Sequence, residues 1–508
     1  MKRLFYISII IFISSTGLFA QTVFDAVKAA DSDLGGSARY SSMAGAFGAL
    51  GGDVSAIKDN PAGLGVFRKS ELSLTANTLF QNSKSKWDGV KDRDSRIKLG
   101  FNNVALVLTT PFYRTSGLVS SNFSFNYNKL KNFNRNVSIK GTVSPVSITD
   151  YYALLTPINV GGNIEFKNDN YSWMSVMAYE GYLIDPIYDE NDNLIYWSSA
   201  LKKNELVLPD YTLHEYGGID EYAFAWAGNI SNKLFLGASI NIRSLNYSLH
   251  SIYNEDFTGG GGMTMQSFVD IKGTGVNANF GAIYLPVDFL RIGASFQTPT
   301  IYSMAVTNFA SLYADWDEKR TIEPKEANTV KSSLYTPLQV NGGVAFLFGR
   351  KGLLSAEYVY KNYTGMYFAD KDNGSSSRYS NENGDINRML NNTSSIKIGG
   401  EYKVTDNFAV RAGYAYMSPT QNKHTEKIPY IDTARTDMEY FINNGSHYIT
   451  TGFGYRDANW YVDLAFTNQR LKETFYAFNP HDFNPGNVTP ANVITNFNNV
   501  VVTLGLRF

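Results

Sequence analysis

Residues 498–508 read NNVVVTLGLRF, and the reading of this stretch decides the fold. In an extended chain side chains alternate sides with a period of two, so Val500, Val502, Leu504, Leu506 and Phe508 share one face. A final amphipathic strand that ends in phenylalanine is the mark of a membrane-spanning β-barrel, the feature its assembly machinery reads. The same alternation recurs upstream. KLFLGASINIR (233–243) sets Leu234, Leu236, Ala238, Ile240 and Ile242 against Gly237, Ser239, Asn241 and Arg243. SIKIGGEY (395–402) sets Ile396, Ile398 and Tyr402 against Ser395, Lys397 and Glu401. LLSAEYVYK (353–361), FLRIGASFQ (289–297) and NFSFNYN (122–128) repeat the theme.

Alternation alone fits a soluble sandwich as well as a barrel whose apolar face meets lipid. Loop parity separates them. Short turns near 112–117, 229–233, 285–289, 348–352, 404–407 and 456–459 alternate with long polar connections near 136–218, 253–262, 314–328, 368–391, 421–445 and 477–490. Short turns on one side and long loops on the other are the pattern of a bacterial outer-membrane barrel. The expected fold is therefore all-β, an antiparallel barrel of about fourteen strands. The strands fall near 67–80, 96–111, 118–133, 219–229, 233–251, 263–284, 288–306, 329–347, 352–367, 392–403, 407–419, 446–455, 459–474 and 492–508. Even parity places both chain ends on the periplasmic side. IKLGFNNVALVL (97–108) does not hold one register, which predicts a bulge in the second strand. Tyr360, Tyr416, Tyr455 and Trp460 suit the interfacial girdles.

Composition agrees. Of 508 residues 43 are Gly, 34 Tyr and 33 Phe, an aromatic and glycine-rich balance that suits a large β-protein. With 45 basic and 46 acidic residues there is no electrostatic case for nucleic-acid binding. The absence of cysteine excludes disulfides and thiolate metal sites. Lys2 and Arg3, the apolar run Leu4–Ile13 and the Ala20-Gln21 step read as a signal peptide over residues 1–20. No later apolar run is long enough for a helical span.

No catalytic set stands out, and the expectation is that the chain is not an enzyme and holds no metal or cofactor. His214, His250, His424, His447 and His481 lack an HExxH or G-x-S-x-G context and read as solvated loop or strand-end side chains. Gly45, Gly48, Gly51 and Gly52 lack dinucleotide-site spacing. DENDN (189–193) lacks the glycine and terminal glutamate of an EF-hand loop.

Residues 21–66 precede the first strand and include SARYSSMAGAFGALGGDVSAIKDNPAGLG. Short helices of small residues joined by glycine turns would fit inside a barrel lumen, with Asn60 capping and Pro61 fixing the local backbone. This segment, the barrel pattern over 67–508 and the terminal Phe508 together resemble the FadL/TodX family of outer-membrane transporters. The triplet Asn60-Pro61-Ala62, followed by Gly63, matches that family's plug signature. The resemblance implies an N-terminal plug, extracellular capture of a long-chain fatty acid or similar hydrophobic molecule, and sideways release through a strand kink. No motif assigns the kinked strand or the pocket. The long connection near 136–218 departs from the family pattern and puts the substrate class in doubt.

An apolar capture surface is what such transport needs, at about 0.8 kcal/mol per buried methylene. Candidates are Tyr151, Tyr152, Leu154, Leu155, Trp173, Met174, Tyr196 and Trp197 in the long connection. Arg243, Arg291, Lys397 and Arg411 would face the lumen, there to meet a carboxylate head group or to pair with Glu357, Glu401 and Asp463. The resemblance further implies a monomer in contact with outer-membrane lipid and lipopolysaccharide. Two other readings remain open: a barrel of the same fold recruited as a partner-binding or secretion scaffold, and a diffusion porin.

Overall fold

The computed structural model describes residues 21–508 apart from 159–161, 203, 317, 428, 431–432 and 484–487. The expected signal peptide lies outside these residues. Five helices of α type occur, α1 (Val23–Ala30), α2 (Ala38–Ser42), α3 (Ile148–Leu155), α4 (Trp173–Glu180) and α5 (Ser380–Met389). The strands begin with β1 (Glu71–Trp87), β2 (Val90–Pro111), β3 (Leu118–Asn132), β4 (Arg135–Lys140), β5 (Ile184–Tyr188), β6 (Leu194–Ser199) and β7 (Val207–Ile230). Next come β8 (Leu234–Phe257), β9 (Gly262–Val287), β10 (Leu290–Gln297), β11 (Ile301–Asp315), β12 (Lys319–Ile322), β13 (Asn328–Tyr335) and β14 (Gln339–Phe348). The chain closes with β15 (Gly352–Lys361), β16 (Tyr367–Ala369), β17 (Thr393–Lys403), β18 (Phe408–Met417), β19 (Tyr440–Arg456), β20 (Trp460–Tyr476) and β21 (Ala491–Arg507).

Every neighbouring pair is antiparallel, and β1 pairs with β21 from Glu71↔Arg507 to Lys86↔Asn492, which closes a fourteen-stranded barrel. Closure joins the first strand to the last, the condition for strands to cross a bilayer. The alternation sorts the two faces as expected. Ile240 is 61 % exposed and Leu504 54 %, whereas their neighbours Asn241 and Thr503 are 0 % exposed. The outward apolar residues form the belt that faces lipid.

The expected bulge is present. Thr75 faces Asn103 and Ala76 faces Phe101, so Asn102 is the extra residue of β2. Two strands read as continuous are interrupted, between β10 and β11 at Pro299 and between β13 and β14 at Pro337. Proline has no N–H for the ladder, so each break falls at a Thr-Pro step. Across the gap Thr300 N–H donates to Thr336 Oγ1 (2.9 Å) and Thr336 N–H donates back to the Thr300 carbonyl (3.0 Å).

The short turns lie where loop parity put them, but the long connection expected near 253–262 does not exist. β8 and β9 run on to a tight hairpin over 258–261, because Asn254, Asp256 and Thr264 continue the alternation with buried Tyr253, Glu255, Met263 and Met265. Likewise β1 and β2 meet at Asp88-Gly89, and β7 begins at Val207, so the connection expected over 136–218 narrows to 141–206. It carries α3, α4 and the β5–β6 hairpin. His214 and His250 are not loop residues: they pair across β7 and β8, and His250 stacks on Phe268 at 4.3 Å. His447, on β19, accepts or donates to the Tyr414 hydroxyl at 2.9 Å.

Candidate functional site: a sealed lumen beneath an aromatic roof

Residues 21–67 lie inside the barrel. The segment between α2 and β1 is built of two short 3₁₀ helices, Val54–Lys58 and Pro61–Val66, and tight turns, so many of its backbone groups have no partner of their own. The wall supplies them, as buried backbone requires. Asn279 Nδ2 donates to the Lys58 carbonyl (2.9 Å), and Asn341 Nδ2 (3.1 Å) and Ser295 Oγ (2.6 Å) donate to the Asp59 carbonyl. Asn122 Nδ2 donates to the Leu64 carbonyl (2.7 Å), Thr450 Oγ1 to that of Ser42 (2.9 Å), and Ala38 N–H to Thr503 Oγ1 (2.7 Å). Glu357 accepts from the N–H groups of Phe47 (3.1 Å) and Gly48 (2.7 Å).

Asn60, Pro61, Ala62 and Gly63 sit at the centre of this contact, all buried. Asn60 Nδ2 reaches the carbonyls of Gly48 (2.6 Å), Ala282 (3.3 Å) and Ala294 (3.4 Å), while its Oδ1 caps Ala62 N–H (3.0 Å). One amide thus ties two turns of the inner segment to β9 and β10. Wall glycines make room for it: a Cβ on Gly281 would overlap Asn60, and one on Gly293 would overlap the Gly48 carbonyl.

Three of the four lumenal cations singled out from sequence, Arg243, Lys397 and Arg411, are in ion pairs. Arg411 binds Glu401 (2.7 Å), which also binds Arg39 of α2 (2.8 Å), and Arg411 further pairs with Asp463. Lys397 binds Glu357 (3.1 Å), Arg243 binds Glu221 (2.9 Å), and Arg291 donates to the Leu50 carbonyl. Arg243, Lys397 and Arg411 thus meet acids of the wall, whereas Arg291 meets a backbone carbonyl and its Nε has no hydrogen-bond partner among the described residues.

On the long-loop side of the inner segment lies a cavity of about 150 Å³. Its walls come from α1 (Phe24, Val27, Lys28), β7 (Tyr211, Leu213), Lys427, Arg435, Asp437 and Glu439 ahead of β19, and Phe441, Leu471 and Phe497. Buried ion pairs brace it. Arg435 holds Asp25 of α1 (2.9 Å) and Asp437 (2.6 Å), and Lys427 also holds Asp437 (2.6 Å). Lys28 pairs with Glu215, and Arg135 binds Glu473 (2.7 Å) while stacking on the Phe441 ring (4.9 Å). Burial alone would raise the Asp437 carboxyl, but Arg435 and Lys427 outweigh it and hold it below the usual carboxylate range.

Above the cavity is an aromatic roof. Tyr151, Tyr152, Met174 and Trp197 are buried in one cluster with Trp87, Tyr211 and Phe475, and Leu155 packs against it, while Trp173, also buried, meets the Phe166 ring (5.8 Å). Tyr151 stacks on Phe478 (5.4 Å), Trp197 Nε1 donates to the Pro157 carbonyl (2.9 Å), and Tyr211 meets Phe475 (4.8 Å). Leu154 and Tyr196 point outward, 56 % and 53 % exposed. The residues singled out from sequence are therefore mostly roof core. The cavity residues themselves carry no local signal; they meet only because the barrel closes.

Beside the cavity the wall ladder is incomplete. β2 and β3 pair only from Asn103↔Asn128 to Pro111↔Ser120. On the N-terminal side of Asn102, β2 pairs with β1 alone, and β4 is held to β1 by side-chain bonds: Gln81 brackets Asn136 (3.0 Å each way) and Ser85 Oγ donates to the Ser138 carbonyl (2.7 Å). A second cavity of about 70 Å³ opens at this seam between Asn102 and Leu34-Gly35 of the inner segment.

These features define a membrane-spanning β-barrel with a folded inner segment and a cavity beside it. No protein-family model matches the sequence, and no match is found among curated protein sequences. Among solved structures the chain is similar to a FadL homologue of Pseudomonas aeruginosa, with 13 % identity over 94 % of this chain and 99 % of that one at a TM-score of 0.53. It is similar to the toluene transporter TodX of P. putida, with 12 % identity over 94 % and 99 % at a TM-score of 0.51. The chain has the FadL/TodX-type fold.

Proposed function

We propose that this protein is an outer-membrane channel that takes up hydrophobic small molecules, long-chain fatty acids or compounds like them, past an N-terminal plug formed by residues 21–66. The observation that carries this reading is the partly apolar cavity between the aromatic roof and the inner segment, with a smaller cavity next to it that reaches the broken β2–β3 ladder at Asn102. The roof would capture the molecule, the cavity would hold it, and the seam at Asn102 would release it sideways. Both termini would be periplasmic, with Phe508, whose N–H donates to the Ser70 carbonyl (3.0 Å), presented to the assembly machinery. The protein would work as a monomer among outer-membrane lipid and lipopolysaccharide.

The test is binding and uptake together. Purified, delipidated protein should bind hydrophobic probes saturably, and deletion of the gene should slow their uptake by cells. No saturable binding and unchanged uptake would reject the reading. A scaffold role has one observation behind it, the β5–β6 hairpin with Tyr188, Ile195 and Tyr196 exposed. Photo-crosslinking from position 196 in cells should then capture a protein partner.

A further inference from the structure

The head group that the cavity accepts can be read from its charges. Each cation lining it is held by a carboxylate: Lys28 by Glu215, Lys131 by Asp31 (2.8 Å), Arg135 by Glu473, Lys427 by Asp437 and Arg435 by Asp25. One lining acid stands outside these pairs. Glu439 is 6 % exposed, no cation stands within ion-pair distance of it among the described residues, and its Oε2 finds no hydrogen-bond partner there.

A buried carboxylate oxygen with no ion pair and no hydrogen-bond partner is costly, which favours the protonated form. Its surroundings agree: Lys427 and Asp437 oppose each other beside it, and Tyr152, Tyr211 and Tyr253 are the other titratable groups that feel it. Burial pushes the Glu439 carboxyl up to about 8. A carboxylic acid in that state has an O–H to give and no charge to answer a charge.

Resting on the channel reading above, and narrowing its cargo from free fatty acids to neutral relatives of them, we propose that the cavity selects neutral amphiphiles, whose head group accepts a hydrogen bond from Glu439, and discriminates against free carboxylates. A carboxylate entering here would be stripped of water with every cation already engaged, and would sit among acids. A ketone, ester or ether oxygen loses less water and meets a donor. The volume fits the head and a short chain or ring; an engineered apolar cavity of about 150 Å³ takes benzene.

The experiment compares three head groups on one short chain, 2-octanone, octanoate and octylamine, for binding to the purified full-length protein at pH 7. The expected order has the ketone at least tenfold tighter than either ion. Glu439→Gln, which keeps a donor, should stay within about threefold for the ketone, and Glu439→Leu should erase the preference. Octanoate binding as well as the ketone, or better, would overturn the proposal and leave the channel reading standing. Octylamine binding best would also overturn it, because Glu439 would then be ionised. No binding of any probe would reject both. If Glu439→Leu does not fold, the head-group order on the unaltered protein still decides.

Discussion

Arg435 and Asp25 lie 410 positions apart in the chain and 2.9 Å apart in the barrel. Their contact fastens α1, the first element of the inner segment, to the connection that lids the cavity. Arg435→Met would leave Asp25 and Asp437 buried without their guanidinium, and removing one partner of a buried pair costs about 3–5 kcal/mol. The heat-induced gel-shift midpoint of the variant should fall, and its conductance in planar bilayers should rise. Adding Asp25→Asn should recover part of the loss, which a double-mutant cycle would read as coupling.

Asn60→Ala should loosen the inner segment from β9 and β10. It strips the donor from three carbonyls and the cap from Ala62, at about 1–3 kcal/mol for the buried groups left unpaired. Pro61→Ala should act in the same direction, more weakly. Cells carrying either variant should become sensitive to antibiotics that the intact barrel excludes; unchanged sensitivity would argue against a sealing role.

Gly293→Ala should be worse tolerated than Gly342→Ala. The first puts a methyl into the Gly48 backbone, which cannot swing away as a side chain can, whereas nothing lies within 4 Å of the second. Overpacking of this kind costs about 1–3 kcal/mol. Thermal stability of the two purified variants gives the comparison.

Deleting Asn102 should restore the register between β1 and β2 and extend the ladder toward β3. If release runs through this seam, probe binding should survive the deletion while uptake by cells is lost. Uptake at the normal rate would place the exit elsewhere.

Stability should respond to pH at both ends. Asp437 is held below its unfolded value, so its contribution is present above about pH 4 and is lost as pH falls further. Glu439 is raised above its unfolded value, so the folded state keeps a proton that the unfolded chain has released. Stability should therefore decline as pH rises from about 4 toward about 8. Glu439→Gln should flatten that decline and leave the acid limb intact, as melting temperatures across the range would show.

The strands were legible because a lipid-facing and a lumenal face leave a period of two in residues such as Ile240-Asn241 and Leu504-Thr503. The misfit in IKLGFNNVALVL announced a bulge in β2, though not its place at Asn102. What stayed hidden had no local period. The hairpin ends of β8 and β9 are as polar as loops, since Asn254 and Asp256 face water beyond the membrane while their neighbours face the roof. Pro299 and Pro337 each sit inside a run that otherwise reads as one strand. The Asp25–Arg435 and Lys28–Glu215 pairs join positions that only barrel closure brings together, and nothing around Glu439 in the sequence marks it as the acid without a partner.

The wall that grips the inner segment has a further consequence. Asn122, Asn279, Asn341, Ser295, Thr450 and Thr503 are donors and acceptors turned toward the barrel axis. Were the inner segment drawn out, those amides and hydroxyls would bind water at once, and the bore at that depth would be a wet tube. A greasy molecule arriving from above would meet there the same solvent it had just escaped. Straight-through passage would therefore offer it nothing, with or without the stopper, and in the channel proposed above the direction of travel would be set by the polarity of the floor rather than by whether the floor opens.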